Sequence, residues 1–224
     1  MKKIITLFLL ITLVGCGTTP QPTVELQANH FTNKEKKIGF YFQRGDKATT
    51  HIFGAGCLLC YGVASSLTSS LDKHLATLPV SDIDSLKTLI QDEFKERSDY
   101  VTTLDDPKLL DKLPKFKGEL GFAKQDFRGL KEKFDIDVLV VANFDSFGAY
   151  RSFSSYVPNG DPQGYLKGVV YTIDLNTNQY LQYRLVDEKV QPEGLWDEPD
   201  DFPGVTTAYY QAIENVKTLI RNAI

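Results

Sequence analysis

Apolar residues follow two regular spacings along most of the chain, and these spacings predict a mixture of strands and helices. Residues 37–43 alternate, with Ile38, Phe40 and Phe42 on one face, which predicts a strand. Residues 138–142 form an uninterrupted apolar run, which is typical of a central strand buried on both faces. Further strands are expected at 100–104, 165–175 and 180–190, with a turn at 176–179 between the last two.

Four segments repeat their apolar residues every three or four positions and are predicted to be amphipathic helices. The first lies in a stretch without charged side chains, Ala48 to Leu71, and its apolar residues are expected to form one buried stripe. Ser81 followed by Asp84 resembles a capping box at the start of the second helix. The marker positions are Leu59, Val63, Leu67, Leu71 and Leu75; Ile83, Leu86, Ile90 and Phe94; Phe127, Leu130 and Phe134; and Tyr209, Ile213, Val216, Ile220 and Ala223.

The order of these elements predicts one α/β (α+β) domain over residues 37–224. Its single mixed sheet of about five strands is expected to be packed by the amphipathic helices. Helical crossovers favour parallel pairing of the first three strands, whereas the tight turn makes the last two an antiparallel hairpin. The C-terminal helix is expected to dock on the sheet.

The N-terminal residues have the features of an export signal. Lys2 and Lys3 precede an apolar run over residues 4–14, which is too short for a bilayer span of about 20 residues. The run ends in Leu13-Val14-Gly15-Cys16, which resembles a bacterial lipobox. This resemblance implies a signal peptide over residues 1–15, diacylglycerol on the Cys16 sulfur and a fatty acyl chain such as palmitate on its amino group. An ordinary signal peptide followed by a chance Cys is the alternative.

Lipidation at Cys16 would anchor the protein to a bilayer. Gly17 stands where many lipoproteins retained in the inner membrane have Asp, so the outer membrane is expected, with the domain in the periplasm. Residues 16–36 are rich in Thr, Gln, Asn, Pro and Lys and are interpreted as a lipidated tether.

Composition narrows the classes of function. The 224 residues carry a formal charge of −4, so no basic surface for nucleic acid is expected. Three His and three Cys leave few ligands for metals, and no Gly-x-Ser-x-Gly motif offers a serine nucleophile. We therefore expect no metal, no cofactor and no catalytic residues.

Cys57 and Cys60 are separated by two leucines and admit three interpretations. A structural disulfide suits an oxidising compartment, and a pair of buried thiols suits the interior of a helix. A redox-active pair is the third interpretation. It is the least favoured because the pair is expected within the first helix and has no positive charge nearby.

The loop at 192–204 combines five acidic residues with the only Trp of the chain, among prolines that restrict its backbone. A rigid aromatic residue among charges favours a partner-binding site. One alternative is that the loop's aromatic residues fold back over the edge of the core. A calcium site is a further alternative, but the acidic residues lack the spacing of a calcium-binding loop. The proposed contact residues are Trp196, Asp197, Glu198 and Phe202, with Tyr150, Phe153 and Tyr156 in a neighbouring flap.

The element order, the lipobox and Asp174-Leu175-Asn176-Thr177-Asn178 at the last turn together carry a family resemblance. The chain resembles the periplasmic α/β lipoproteins related to the curli secretion lipoprotein, the lipoprotein activator of a peptidoglycan synthase and the N-terminal domain of the Tol-Pal translocation protein. These families often have Asp-Leu-x-Thr-Gly between two strands, whereas Asn178 stands here in place of the Gly.

That resemblance implies a non-enzymatic accessory or assembly protein of the cell envelope that acts by binding another envelope protein. Two alternatives stay open. One is a thiol–disulfide active enzyme that uses Cys57 and Cys60. The other is an oligomeric secretion component, in which the uncharged stretch contacts a membrane or a second copy through a stripe of small residues, Gly62, Ser66 and Ser70.

Overall fold

The structure, a computed structural model, describes residues 19–198 and 201–224. Within them seven strands form one mixed sheet. The strands are β1 (Ile38–Arg44), β2 (Thr49–Phe53), β3 (Val101–Thr103), β4 (Val138–Ser154), β5 (Val157–Pro158), β6 (Gln163–Asp174) and β7 (Gln179–Val190). The helices are α1 (Leu58–Leu75), α2 (Ser81–Lys95), α3 (Leu130–Phe134) and α4 (Pro203–Ala223), besides a 3-10 turn at Ala28–Phe31.

The sheet is organised around β4, and the predicted fold class is confirmed. The strand order is β3-β1-β4-β6-β7, with β1 parallel to both β3 and β4. β6 and β7 pair antiparallel, as the tight turn predicted, and β4 also pairs antiparallel with β6, which was not predicted. Two strands were not expected: β2 lies parallel to the second half of β4, and β5 forms a short hairpin with its end.

Alternate residues of β4 face two separate hydrophobic cores. Val138, Val140 and Ala142 face the core that contains α1, α2 and α4. Leu139 and Val141 face the second core, which is closed by α3 and the segment 104–130. The apolar run over residues 138–142 is therefore buried on both faces, as expected for a central strand.

The second and fourth helices bury the residues that their periodicity predicted. In α2 the four marker residues Ile83, Leu86, Ile90 and Phe94 are fully buried. The predicted capping box is wrong, however, because Val80 is the N-cap and no side chain caps the helix. Asp84 instead forms an ion pair with Arg44 of β1, with 2.6 Å between Oδ1 and Nε.

The stripe predicted for α1 is wrong over the first half of the helix. Leu71 and Leu75 are buried, but Leu59, Val63 and Leu67 are exposed. The buried positions there are Cys60, Ala64 and Thr68. α1 contacts β2, a strand that the sequence analysis did not predict, and the small side chains of Ala64 and Thr68 face inward.

Residues 19–36 lie against the sheet instead of forming the predicted tether. Val24 pairs with Tyr183 of β7 through two backbone hydrogen bonds of 2.9 Å. Phe31 is buried and meets the ring of Phe94 edge-on. The tether predicted over residues 16–36 is therefore wrong from residue 19 onward, because the few apolar side chains of this polar segment reach both cores.

None of the helices in the described part of the chain has the length and apolar character that a membrane span requires. The predicted signal peptide (residues 1–15) and the lipidation site Cys16 lie outside the described residues.

Candidate functional site

The loop after β7 holds Trp196 at the edge of the larger core. The Trp196 ring lies nearly parallel to that of Phe202, with 6.4 Å between ring centres and 20° between planes. The guanidinium carbon of Arg151 lies 5.0 Å from the Trp196 ring centre. Both aromatic residues are half-buried, so the loop folds back over the core, while Asp197 and Glu198 are exposed.

Arg151 of β4 connects two of the predicted contact segments. It is only 7% exposed, and it packs over Phe153 as well as Trp196. Its guanidinium also donates a hydrogen bond to the carbonyl of Gly160. Burial lowers the pKa of Arg151 from its ordinary value, although Asp161 opposes this effect. Arg151 was not among the predicted site residues. It lies beyond the strand predicted over residues 138–142, and its only signal is that it is the one basic residue of β4.

The structure separates the other two flap residues from this group. Tyr150 stacks on Phe53, with 4.6 Å between ring centres, and Lys189 Nζ lies 4.9 Å from the Tyr150 ring. These contacts form a second aromatic cluster that also includes Tyr165, whose pKa is raised to about 12 mainly by burial. Tyr156 lies in the turn between β4 and β5 and is exposed. Phe153 and Trp196 therefore both contact Arg151, whereas Tyr150 lies in the second aromatic cluster and Tyr156 in an exposed turn.

An open groove of about 700 Å³ lies between α1 and the Trp196 loop. Aromatic side chains line it together with acidic and basic groups, which suits a polypeptide ligand better than a small apolar one. His74 Nε2 lies 2.8 Å from the hydroxyl of Thr206 and so fixes the helix side of the groove to α4. The principal lining residues are Lys73, His74, Trp196, Asp197, Asp201 and Phe202.

In the described parts of the chain, no group of three or more His, Cys, Asp or Glu side chains is placed to hold a metal ion. His51 belongs to β2 and contacts the carbonyl oxygen of Phe147 through Nε2 at 3.2 Å.

Cys57 and Cys60 form a disulfide at the beginning of α1. Cys57 is the N-cap residue, and its sulfur accepts a hydrogen bond of 2.9 Å from the backbone N–H of Cys60. Cys57 is exposed, whereas Cys60 is only 8% exposed. The expectation that both cysteines lie within the helix is therefore wrong. One of the two reasons for disfavouring a redox role no longer applies.

Large exposed hydrophobic side chains surround this disulfide at one end of the molecule. Leu58 is 92% exposed and Leu59 is 78% exposed. The end of β2 and the β4–β5 hairpin come together here, because β2 and β5 both pair with the last residues of β4. Neither residues 48–71 nor residues 152–160 include Asp, Glu, Lys or Arg. We refer to this surface as the apolar tip; it consists of Phe53, Leu58, Leu59, Tyr61, Val63, Leu67, Tyr156 and Val157.

No protein-family model matches the chain, and neither does any curated protein. Among solved structures, a Xanthomonas campestris protein of the family DUF330 is similar at 9% identity and a TM-score of 0.40, over 91% of this chain and 87% of that one. The PelC dodecamer from Paraburkholderia phytofirmans is similar at 7% identity and a TM-score of 0.29, over 88% of this chain and 96% of that one.

A lipoprotein from Neisseria meningitidis is similar at 9% identity and a TM-score of 0.28, over 80% of this chain and 99% of that one. At these identities and TM-scores the similarities assign the chain to no family. The resemblance to the curli-related lipoproteins, the synthase activator lipoprotein and the Tol-Pal protein therefore stays a prediction.

Proposed function

We propose that this protein is a lipid-anchored accessory protein of the cell envelope that binds another envelope protein through the groove beside Trp196. The observation that carries the proposal is the way this groove is built. Its Trp packs against both Arg151 and Phe202, so little side-chain entropy would be lost on binding. The exposed carboxylates of Asp197 and Glu198 border the same Trp and would select a partner with basic groups.

The position of Thr19, the first residue that the structure describes, supports an orientation with the groove far from the membrane. Thr19 lies beside Phe122, whose backbone pairs with Gln179 at the β6–β7 turn. The three residues from Cys16 to Thr19 can span about 11 Å. Val138 of β4 lies level with that turn. Arg151, under the groove, is thirteen positions further along β4, which corresponds to about 40 Å. A lipid on Cys16 would therefore leave the groove facing the aqueous compartment.

The same geometry disfavours the alternative in which α1 contacts the anchoring membrane. α1 packs on the face of the sheet that bears Val140 and Ala142. Thr19 and its neighbour Phe122 lie on the opposite face, beside the second core. A tether of three residues is too short to bring both faces to one bilayer surface.

Capture of partners by the full-length protein, after cross-linking in cell envelopes, tests the groove. Trp196→Ala is expected to lower recovery of the specific partner at least about tenfold, as expected for an anchor residue. Leu195→Ala is the matched control, because Leu195 is 68% exposed in the same loop. Unchanged recovery with Trp196→Ala, in a variant whose unfolding midpoint is preserved, would remove the groove from the proposal.

The anchor is tested separately by metabolic labelling with palmitate. Labelling is expected in the wild-type protein and lost in Cys16→Ala, with the protein then released from the membrane fraction. Density-gradient fractionation distinguishes the outer membrane, expected from Gly17, from the inner membrane. A mass that still includes residues 1–15 would contradict the lipobox interpretation.

A further inference from the structure

We propose that Cys57 and Cys60 form a thiol–disulfide exchange site for polypeptide cysteines that are flanked by apolar residues. The two sulfurs differ in accessibility, since Cys57 is exposed and Cys60 is nearly buried. An incoming thiolate can therefore reach the sulfur of Cys57 more readily than that of Cys60. This asymmetry defines which cysteine forms the mixed disulfide and which one leaves.

The beginning of α1 supplies the groups that such an exchange requires. The backbone N–H of Cys60 donates a hydrogen bond to Cys57 Sγ, and the N-terminus of an 18-residue helix lies directly behind that sulfur. Both features stabilise a thiolate on Cys57 when the disulfide is open. By contrast, the disulfide contributes little as a structural brace, because it closes a loop between residues only three positions apart.

The surroundings of the disulfide indicate the class of substrate. Leu58 and Leu59 stand between the two cysteines and are almost fully exposed, and Tyr61 beside them is 53% exposed. No charged residue occurs between Lys47 and Asp72. A segment with apolar residues around its cysteine would bury this surface on contact, whereas a polar thiol such as glutathione would not.

The exchange balances as a two-electron transfer from a substrate dithiol to the protein. The first substrate thiolate attacks Cys57 Sγ, so a substrate–Cys57 disulfide forms, the Cys57–Cys60 bond breaks and Cys60 leaves as a thiolate. The second substrate thiolate then attacks the substrate sulfur of the mixed disulfide and releases Cys57. The substrate becomes a disulfide, and its two protons pass to Cys57 and Cys60.

The test uses the full-length oxidised protein and two dicysteine peptides of equal length, one flanked by Leu and Phe and the other by Ser and Asn. Acid quenching, alkylation and mass spectrometry give the rate at which protein thiols form. The apolar peptide is expected to react about tenfold faster or more, since burial of one leucine on contact changes an equilibrium by at least that factor. The double substitution Leu58→Ser and Leu59→Ser should abolish this preference.

Two controls make the result decisive. Leu120→Ser with Leu185→Ser changes two exposed leucines outside the apolar tip and should leave the preference intact. Cys60→Ser should trap a mixed disulfide with the oxidised apolar peptide, whereas Cys57→Ser should trap almost none. Equal rates for the two peptides, or equal trapping by the two cysteine variants, would overturn the proposal while leaving the groove and the anchor untouched.

Discussion

Asn178 holds the β6–β7 hairpin to the segment that covers the second core, and its replacement is expected to be costly. Its backbone has φ of +67°, the left-handed region that glycine adopts most easily. Its side chain is fully buried and accepts a hydrogen bond of 2.9 Å from the backbone N–H of Phe127. It also donates to the carbonyls of Ala123 and Gln125, at 3.1 and 2.9 Å.

The substitution Asn178→Gly separates the backbone effect from the side-chain effect. Three hydrogen bonds are lost, each contributing about 1 kcal/mol, and the buried groups left without partners add to the loss. Glycine relieves about 1 kcal/mol of backbone cost at a positive φ. The free energy of unfolding should therefore fall by about 2–4 kcal/mol. Asn178→Ala should lower it by about 1 kcal/mol more, because alanine keeps the backbone cost and loses the same hydrogen bonds.

Urea unfolding followed by circular dichroism measures this effect. A loss of that size lowers the midpoint by roughly 1–2 M at unchanged slope. Asn176→Gly is the matched control, since Asn176 lies in the same turn but is exposed, and it should cost less than about 1 kcal/mol. If Asn178→Gly were as stable as the wild type, the side chain would serve only the turn, and the inference that it fixes the segment 123–127 would be refuted.

Two further predictions concern packing and pH. Gly164→Ala should destabilise the fold by about 3 kcal/mol in urea or thermal unfolding, because the new Cβ would lie 2.1 Å from the carbonyl carbon of Ala208 in α4. The control Gly62→Ala should be neutral or slightly stabilising, because no atom lies within 4 Å of its new Cβ. Equal stability of the two variants would contradict the close approach of α4 to β6. Burial lowers the pKa of His51 below 6.5, and the hydrogen bond to the Phe147 carbonyl partly opposes this effect. The neutral His51 therefore contributes to stability above pH 6.5, and this contribution is lost as the pH falls from 6.5 towards the pKa of the folded state. Urea midpoints measured between about pH 7.5 and 5 should fall less steeply in His51→Gln than in the wild type, and parallel curves would show that another group causes the acid sensitivity.

Periodicity predicted the elements that face one continuous core. α2 and α4 bury the residues expected of them because each helix has one face on the sheet and one in solvent. The parallel pairing of β1 with β3 and β4 and the antiparallel β6–β7 hairpin also followed from the sequence, since helical crossovers favour parallel neighbours and a tight turn favours antiparallel ones. The order of the strands in the sheet and the antiparallel pairing of β4 with β6 were not predicted. β2 and β5 were missed because they are short and carry few apolar residues.

The contact between Arg151 and Trp196 could not be predicted in the same way. The two residues are 45 positions apart, and their meeting depends on where β4 ends and where the loop after β7 returns. An irregular register between Asn143 and Ser146 in the β4–β6 pairing further changes which β4 residues lie opposite β6. A local pattern contains no information on such a register, so the sequence indicated an unusual Trp loop but not the residue against which it packs.

The error over α1 has a physical cause that bears on function. Leu59, Val63 and Leu67 recur at helical spacing, which is the pattern of a face that is covered, yet no part of the described chain covers them. Periodicity reports that a face suits burial and does not report which molecule buries it. Six large apolar side chains between Phe53 and Leu67 are exposed, and such a concentration of exposed apolar residues is typical of a surface that binds another polypeptide. The failed prediction of a buried stripe therefore agrees with an apolar tip that receives other polypeptides. Leu59 belongs to this stripe and also to the pair of leucines beside the disulfide, so its substitution tests the role of the stripe together with the substrate preference of the disulfide.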